Sequence, residues 1–563
     1  MASKITLKNN QQKELSIINR DNTGAKTIYG DQLVMAVDTI ADMEAITTGV
    51  LDTSYDGTTC IVKADGGRNG TFVYSYAEKA NDNQGTNFNG WVRQYDGEVY
   101  TSWFGVVADG TISVANTARV QAAIDAATTK IVINSKGNIS LTSYLEITKS
   151  DIHLEIIEGV ILTAEAQMDQ MIYVYNKHRV SIVGLGKLNA NDLSVNGIKC
   201  VAQAVSAAAF NSTDILIEGL LITGTQEDTQ LFHGAIMIGS LDGKSGPSRY
   251  KNVKINNVYI ESCGTHGVLI AYADYVSVTN CRLSNTYNHG CEGVNCTNIN
   301  ITNNKAINCL KSGLGVGDNT KLFSINDNII SGCAGDGSIT IEHNSIEGTI
   351  SNNTIVECTS QGINVSYGTA SAGEFSTIHD IVITGNVITA KTGVLTRIGI
   401  NVYATPATQG YNINISNNTI EAFNKLMTLS YLRCINVSGV SNNTLQGTSA
   451  NLIDLIHVTE STVSNITSRA NCGSDAILID AYTTNKSRRI VVNGISTYTV
   501  NAAGNSVIKV VSGDNFSFTN INSSGALHAI EVIDAATTYH AGGIVGNYTS
   551  AFVSGGNKLV WQA

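Results

Sequence analysis

The stretch VKINN at residues 253–257 recurs along this chain, as VSVTN at 276–280, INITNN at 299–304, FSINDN at 323–328 and GTISNN at 348–353. Each copy is a short alternating strand that ends on an asparagine, and successive ends are 23 to 25 residues apart. Three further copies with mostly longer gaps extend this column, which consists of Asn257, Asn280, Asn304, Asn328, Asn353, Asn386, Asn418 and Asn443. A period of this length predicts one supersecondary unit repeated along the chain.

A second column, of glycines, has the same period and opens another set of strands. It consists of Gly234, Gly267, Gly290, Gly313, Gly337 and Gly362. Units of this length with short strands and Asn/Gly turns predict the coils of a right-handed parallel β-helix, an all-β solenoid with a stacked Val/Ile/Leu core. A leucine-rich repeat would need a Leu pattern that this chain lacks, and a propeller blade would need about 40 residues.

Composition agrees with this fold and excludes several classes of partner. The 563 residues include 53 Gly and 2 Pro, and 14% are charged. A net charge of −11 argues against nucleic acid or an anionic membrane as partner, because binding phosphates requires clustered Lys and Arg. We expect no membrane insertion, because no run of about 18 apolar residues occurs. The N-terminus lacks a recognisable signal peptide, so we expect a soluble chain that is not exported by that route.

Eleven cysteines are scattered without the spacing of a zinc site or a disulfide framework. Cys309, Cys333 and Cys358 recur at the repeat period, which predicts reduced, buried side chains stacked inside the solenoid. We expect no metal and no cofactor.

Before the repeats, residues 112–127 (ISVANTARVQAAIDAA) predict an α-helix capped by Asn116 or Thr117. We expect it to cover the open end of the solenoid, whose unpaired edge would otherwise aggregate. A shorter helix is predicted at 38–46. The predicted organisation is an attachment segment at 1–35, an irregular β-rich neck at 36–110, a capping helix at 111–130, the β-helix at 131–525 and a short C-terminal β region at 526–563.

The residues just before the repeats resemble a known family of proteins. IADMEAI at 40–46 is followed by DGGRNGTFVY at 65–74, Trp103-Phe104-Gly105, Asp109-Gly110 and the helix RVQAAIDAA at 119–127. This order, over about residues 38–135, resembles the pectate-lyase-like β-helices of bacteriophage tailspike depolymerases. Residues 106–108 and the sequence after Gly110 depart from the usual form.

The resemblance implies a homotrimer on the virion that binds and cuts bacterial capsular or O-antigen polysaccharide on the host surface. Residues 1–35 would attach it to the phage tail, directly or through an adaptor protein. Such β-helices also include lyases and non-catalytic adhesins, so the activity has to be argued from the side chains.

Three carboxylates on consecutive coils are the candidate catalytic residues: Glu292, Asp318 and Glu342. Glycoside hydrolysis needs one protonated and one ionised carboxyl group, about 5 to 5.5 Å apart in retaining enzymes and about 6.5 to 9.5 Å apart in inverting enzymes. Coils stack about 4.8 Å apart, so the spacing permits both outcomes. In GCEGVN, at 290–295, strict alternation turns Val294 outward, so we expect a bulge or register shift. Asp318 lies at a strand end, where capping a turn is the alternative role.

Other polar residues on the same coils allow different chemistry. β-Elimination on uronic acids needs a base and a group that neutralises the carboxylate. The candidate bases and auxiliary groups are His289, His343, Asp336 and Tyr287, and the candidate sugar-binding residues are Tyr272, Tyr367, His266, Lys311 and Asn364. Each His before a Gly is equally explained as a ladder residue that caps a turn. We expect the loops at 225–250 and 367–377 to set sugar specificity.

A second acid-rich region on later coils, formed by Asp454, His457, Glu460, Asp475 and Asp480, ranks lower because its strands are more apolar. The sequence thus favours a glycoside hydrolase on a phage tailspike. A polysaccharide lyase, a non-catalytic receptor-binding adhesin and a secreted or surface-attached bacterial enzyme are the alternatives.

Overall fold

The computed structural model describes residues 4–8, 14–18, 26–29, 32–47, 56–204, 211–227, 233–240, 248–367, 377–393, 397–443, 445, 451–472, 474–480, 487–500, 506–524, 526, 528–533, 539–547, 550–554 and 559–561. About half of the predicted attachment segment at 1–35 lies outside these residues, and so do parts of the predicted specificity loops, at 228–232, 241–247 and 368–376. The chain divides into two compact units, Met1–Lys199 with Ile215–Leu221 and Cys200–Asp214 with Ile222–Ala563.

The first unit begins with small β elements and two α-helices, α1 (Ile40–Thr47) and α2 (Val114–Ala126). A two-stranded sheet pairs Lys4–Lys8 with Glu14–Ile18. A six-stranded sheet is formed by Lys26–Tyr29, Gln32–Val37, Thr59–Val62, Gly70–Tyr74, Trp91–Arg93 and Asn87–Phe88. Its core contains Met35, Phe72 and Trp91, and 3₁₀ turns lie at Tyr76–Asn81 and Thr101–Phe104.

Helix α2 lies close to its predicted place but begins differently. Ser113 occupies the N-cap position without a capping hydrogen bond from its side chain, so the expected cap by Asn116 or Thr117 was wrong. Both side chains lie inside the helix and are bonded elsewhere. Asn116 exchanges hydrogen bonds with the backbone of Val107, and the Thr117 hydroxyl accepts one from the amide of Thr142. Buried Val120 and Ile124 anchor the helix. Its role as a cap on the solenoid stays a prediction.

Parallel coils follow in the first unit. Their strands are Glu98–Tyr100, Lys130–Ile133, Gly137–Leu141, Leu145–Ile147, His153–Ile156, Val160–Ala164, Met168–Tyr175, Val180–Gly184 and Lys187–Asn189. Each strand pairs in parallel with its equivalent on the next coil, as Lys130–Ile133 does with His153–Ile156. Three strands contain the residues at which the units divide: Ser194–Ala202, Asn211–Glu218 and Leu221–Thr225.

The second unit is a parallel β-helix with three strands per coil. One column of strands, called the site sheet below, comprises Gly234–Ser240, His266–Ala271, Cys291–Val294, Leu314–Gly317, Ile339–Ile341, Ile363–Ser366, Ile398–Tyr403, Lys425–Ser430, Ile453–Ile456, Ile477–Asp480, Ser506–Val510, His528–Val532 and Ser550–Ser554. All described pairings in it are parallel, which confirms the predicted solenoid of stacked coils.

The other two columns complete each coil of the second unit. The second comprises Arg249–Asn256, Ala273–Thr279, Thr297–Thr302, Lys321–Asn326, Ile346–Ser351, His379–Thr384, Gly410–Ser416, Leu432–Arg433, Asn436–Ser438, Thr459–Cys472, Ser487–Val500, Gly513–Asp514, Phe516–Ser524, Tyr539–Gly542 and Leu559–Trp561. The third comprises Tyr259–Cys263, Arg282–Thr286, Lys305–Ile307, Ile329–Ser331, Thr354–Cys358, Val387–Ala390, Thr419–Glu421, Ser441–Asn442 and Val545–Asn547.

The core of this unit is a stack of aligned apolar side chains, as the alternation predicted. One row of the site sheet aligns Val268, Cys291, Leu314, Ile339 and Ile363, all of them buried. Cys309, Cys333 and Cys358 are free and at most 1% exposed, which confirms their predicted burial. Small thiols suit such positions because successive coils bring equivalent side chains about 4.8 Å apart.

The asparagine column is real, but its first two members were assigned one residue away from the ladder and its last three residues away, since Thr419 pairs with Ser441 and places Val440 opposite Asn418. Buried Asn304, Asn328, Asn353, Asn386 and Asn418 bond side chain to side chain from coil to coil. Asn257 and Asn280 instead have left-handed φ angles of 52° and 56°. The backbone amide of Cys281 donates to Asn304, so Cys281 holds the ladder position of its coil. Asn443 bonds Glu421 at the surface.

The described part of the chain contains no helix long and apolar enough to cross a lipid bilayer.

Candidate active site

Glu292 lies on the site sheet in an unbroken register. It aligns with Leu269 on the preceding coil and with Gly315 on the next. Val294 aligns with Gly317 in the same strand pair, so the bulge or shift expected in this segment is not present. Val294 takes the outward position that strict alternation gives it and is still only 8% exposed, so no register shift is needed to bury it.

A hydrogen bond joins Glu292 to a histidine of the preceding coil. His266 Nε2 lies 2.9 Å from Glu292 Oε2, and the exposed fractions of the two side chains are 2% and 15%. The other ring nitrogen of His266, Nδ1, lies 2.9 Å from the backbone oxygen of His233. These two contacts fix the orientation of the His266 ring. His266 was predicted to bind sugar, but its buried ring contacts the carboxylate instead.

His289 stacks on His266. Their ring centroids are 5.5 Å apart and the planes differ by 16°. His289 is 7% exposed, and its Nδ1 has no hydrogen-bond partner among the described residues. Burial lowers the pKa of His289 to about 4, so the ring is neutral at neutral pH. The two histidines each precede a glycine of the predicted column, and the shared register of the coils brings them together.

Two glycines leave space between Glu292 and Glu342. A Cβ atom placed on Gly317 would lie 3.5 Å from Glu292 Oε1 and 3.8 Å from Glu342 Cβ. A Cβ placed on Gly315 would lie 3.9 Å from His289 Nδ1. Both carboxylate side chains therefore border the volume that a side chain at Gly317 would fill.

The two glutamates differ in how readily they hold a proton. Burial raises the pKa of Glu342, and the charge of Glu292 raises it further. Burial also raises the pKa of Glu292, but the charges of His289 and His266 in their protonated forms and the hydrogen bond from His266 outweigh it and lower the pKa to about 2. Because the ring of His289 is neutral at neutral pH, the hydrogen bond from His266 is the contact that favours the ionised form of Glu292 there. Two carboxyl groups whose pKa values are shifted in opposite directions are suited to act as general acid and as base or nucleophile.

Asp318 forms a separate pair. His343 Nδ1 lies 2.7 Å from Asp318 Oδ1, and the side chains are 55% and 19% exposed. Asp318 follows the strand Leu314–Gly317 and has a left-handed φ of 48°, as expected of a turn residue. The structure therefore brings Asp318 next to His343 at a strand end, while Glu292 and Glu342 share the space at Gly317.

Two predicted auxiliary residues, Asp336 and Tyr287, and the predicted sugar-binding Lys311 are more exposed than the glutamates. Lys311 and Asp336 are exposed, and the charge of Lys311 lowers the pKa of both Glu292 and Glu342. Tyr287 is 41% exposed, and its hydrogen bond to Glu227 raises the pKa of the phenol, which makes it a poorer base. Glu227, which follows the strand Leu221–Thr225, was not selected by the sequence analysis.

Three of the predicted sugar-binding residues, Tyr272, Asn364 and Tyr367, differ in how accessible they are. Tyr272 is 4% exposed, so the prediction of an accessible ring for stacking on sugar was wrong; its position at the end of strand His266–Ala271 buries it. Asn364 is 6% exposed and accepts a 2.9 Å hydrogen bond from Asn401. Tyr367 is half-buried, and its amide donates to Tyr403, whose 40% exposed side chain the sequence analysis did not select.

Side chains of the second acid-rich region form ion pairs and ring contacts with neighbouring residues. Asp454 pairs with Lys425, and Glu460 lies 2.9 Å from Arg489. His457 stacks on Tyr431 with centroids 4.7 Å apart. Carboxylates held by cations in this way are ordinary structural groups.

A family comparison matches the central coils. The family described as "Right handed beta helix region" matches residues 171–348 and 248–420. The solenoid is a right-handed parallel β-helix. No curated protein matches the chain.

Several solved structures of carbohydrate-acting proteins resemble the chain. The A-module of a mannuronan C-5 epimerase from Azotobacter vinelandii is 14% identical over 71% of this chain and 99% of that one, with a TM-score of 0.43. A family 28 exopolygalacturonase of Yersinia enterocolitica is 16% identical over 81% and 79%, with a TM-score of 0.34. The enzymatically active domain of tailspike protein 2 from bacteriophage CBA120 is 14% identical over 80% and 57%, with a TM-score of 0.35. Likeness this low carries no argument about activity.

Proposed function

We propose that this chain is a depolymerase of bacterial surface polysaccharide and acts as a glycoside hydrolase, with Glu342 as general acid and Glu292 as base or nucleophile. The observation that carries the proposal is that a carboxylate oxygen of Glu292 and the side chain of Glu342, at its Cβ, both border the space at Gly317. Two carboxyl groups on either side of one opening are the arrangement that glycosidic hydrolysis uses.

In this mechanism Glu342 donates its proton to the glycosidic oxygen as the bond to the anomeric carbon breaks. Glu292 either attacks the anomeric carbon, to be displaced later by water, or takes a proton from a water that attacks directly. In the first route Glu342 regains its proton from the water that displaces Glu292; in the second, Glu292 gains a proton as Glu342 loses one, and exchange with solvent restores both. Each route consumes one water. The hydrogen bond from His266 positions Glu292, since it holds one oxygen and leaves the other, Oε1, toward Gly317.

The setting of this activity is proposed from the sequence. The resemblance of about residues 38–135 to phage tailspike depolymerases supports a homotrimer on the phage tail, attached directly or through an adaptor, with capsular or O-antigen polysaccharide as substrate. A glycan chain suits the site sheet because equivalent side chains recur along it about every 4.8 Å. Tyr403 and Tyr367, on later coils of the same sheet, are candidate contacts for sugar rings.

A polysaccharide lyase is the second candidate, and one observation favours it. The Nδ1 of buried His289 has no hydrogen-bond partner among the described residues and lies beside the space at Gly315. The positive charge of Lys311 also helps to lower the pKa of His289. A neutral imidazole near a cation is able to remove a proton next to a uronic acid carboxylate.

Mass spectrometry of the products formed from a panel of capsular polysaccharides tests the proposal. Fragments that have gained water support hydrolysis, and Glu292→Gln and Glu342→Gln should both abolish them. Glu347→Gln is the matched control, because Glu347 pairs with Lys321 on another column of strands. Fragments with an unsaturated uronic acid would overturn the hydrolase in favour of a lyase. Intact polymer that co-sediments with the protein would overturn catalysis altogether in favour of an adhesin.

A further inference from the structure

We propose that His266, His289 and Glu292 form a binding site for a divalent transition-metal ion of the zinc class. One ligand atom from each of the three residues lies within 4.8 Å of the other two. Two imidazoles and one carboxylate are a common ligand set for such ions. The residues come from two adjacent coils, so their spacing in the sequence does not resemble a metal motif.

The proton inventory of His266 supports the site. Its Nδ1 faces the backbone oxygen of His233, which accepts hydrogen bonds and cannot donate, so Nδ1 carries a proton. In a neutral ring Nε2 is then a lone pair, and it faces an oxygen of Glu292 at 2.9 Å. Without an ion, the hydrogen bond described above requires a second proton on this ring, which is 2% exposed and where a charge is costly. With an ion, the metal takes the place of that proton. A metal ion satisfies both acceptors.

The contact between His266 Nδ1 and the backbone oxygen of His233 is also typical of histidines that bind metal ions. Such a histidine donates its remaining N–H to a carbonyl or carboxylate, which fixes the ring and its tautomer. The backbone oxygen of His233 gives His266 this support. The second ring nitrogen of His266 is therefore held toward Glu292.

His289 supplies an independent sign of a ligand. It is 7% exposed, and its Nδ1 has no hydrogen-bond partner among the described residues. A buried imidazole nitrogen without a partner costs free energy unless a ligand or water fills the place. Because the ring stacks on His266, both histidines present their edges to the same region beside Glu292.

The local geometry leaves one coordination position open. An ion about 2 Å from each ligand atom would draw these atoms to about 3.5 Å from one another, which small side-chain rotations supply. A Cβ on Gly315 would lie 3.9 Å from His289 Nδ1, so the glycine leaves that side free for water or a sugar oxygen. Calcium and magnesium prefer all-oxygen sites and fit this set poorly.

The site shares Glu292 with the proposed hydrolase but is tested without any glycan, so one proposal is able to fail while the other stands. Isothermal titration of chelator-treated full-length protein with Zn²⁺ should give about one ion per chain. Co²⁺ should give the visible absorption of a four-coordinate nitrogen and oxygen site. His289→Ala and Glu292→Gln should each weaken Zn²⁺ binding by more than about tenfold, since loss of an outer-shell partner alone costs about that much.

His379→Ala is the matched control, because His379 also contacts a carboxylate, Asp380, at 2.6 Å but has no second histidine beside it in the described structure. Its Zn²⁺ affinity should equal that of the unmodified protein. Circular dichroism and thermal unfolding of each variant establish that it folds, and Glu292→Gln keeps the side-chain volume if His289→Ala does not fold. Absence of stoichiometric binding, or binding that survives both substitutions in folded protein, would overturn the proposal.

Discussion

His266 and Glu292 lie on adjacent coils of the solenoid, and their side chains meet at 2.9 Å between Nε2 and Oε2. The parallel register pairs Leu269 with Glu292 and places His266 beside His289 on the next coil, and the side chain of Glu292 reaches back to the His266 ring. It holds one carboxylate oxygen and leaves the other toward Gly317. The predictions below follow from this arrangement and from the ladders that support it.

Replacement of the proposed acid should remove catalysis and leave the fold intact. Glu342→Gln keeps the shape of the side chain but cannot donate the proton, so kcat should fall by about 10²- to 10⁴-fold. The measurement is reducing-end release from the polysaccharide that the protein cleaves. Thermal unfolding should change little, and a variant with full activity would move the acid to another residue.

The space at Gly317 should tolerate a methyl group and reject a larger side chain. A Cβ there meets Glu292 and Glu342 at ordinary contact distances of 3.5 and 3.8 Å, so Gly317→Ala should fold and retain activity. Gly317→Val should still fold but lose most activity, because its extra methyl groups occupy the place of the substrate. Equal activity of the two variants, measured on the same glycan, would contradict the assignment of the space at Gly317 to substrate.

Stability should depend on pH through Glu342. Burial raises its pKa in the folded chain, so its contribution is fully present below the unfolded pKa of about 4.3 and is lost as pH rises through the higher folded pKa. Glu342→Gln stays neutral and avoids this loss. The melting temperature of the variant relative to the unmodified protein should therefore increase from about pH 4 to about pH 8. A constant difference across this range would contradict the raised pKa.

The asparagine ladder should be a main determinant of stability. Asn353 is fully buried, donates to Ile325 O at 2.8 Å and to Asn386 Oδ1 at 2.9 Å, and accepts from Asn328. Asn353→Ala leaves several buried groups without partners and should cost at least about 2 kcal/mol in the free energy of unfolding.

The neighbouring exposed residue provides the control for the ladder. Thr354→Ala should change the free energy of unfolding by less than about 0.5 kcal/mol, because surface substitutions rarely do more. Denaturant unfolding monitored by circular dichroism measures both variants. Similar losses at the two positions would show that the ladder contributes nothing specific.

Thiol reactivity should separate the surface from the core. Cys434 is exposed, whereas Cys200 is fully buried and burial raises its pKa to about 12. A short pulse of iodoacetamide on native protein, mapped by mass spectrometry, should label Cys434 and leave Cys200, Cys309, Cys333 and Cys358 unmodified. Labelling of these four without denaturant would contradict their burial.

Much of this fold follows from local pattern. The alternation and the period of 23 to 25 residues predicted the coils, and the recurrence of Cys309, Cys333 and Cys358 predicted their burial. These features are readable because each coil repeats the same local choices of strand and turn. The residues that form the proposed pair, Glu292 and Glu342, were also selected from their places on neighbouring coils.

The errors arose where position along the repeat had to be known to a single residue. Asn257 was assigned to the ladder, although the left-handed turn and the ladder position are adjacent and both favour asparagine. Tyr272 was expected at the surface, but the end of its strand buries the ring. A shift was expected near Val294, although the neighbouring coils bury it without one.

The sequence by itself determined a right-handed solenoid with a stacked apolar core, because period and alternation are local properties of the chain. Tertiary structure alone decided which polar side chains meet. The approach of His266 and His289 to Glu292, and the shared opening of Glu292 and Glu342 at Gly317, depend on the register between coils and on side-chain rotamers. Those are set by contacts between residues more than 20 positions apart, which no local pattern contains.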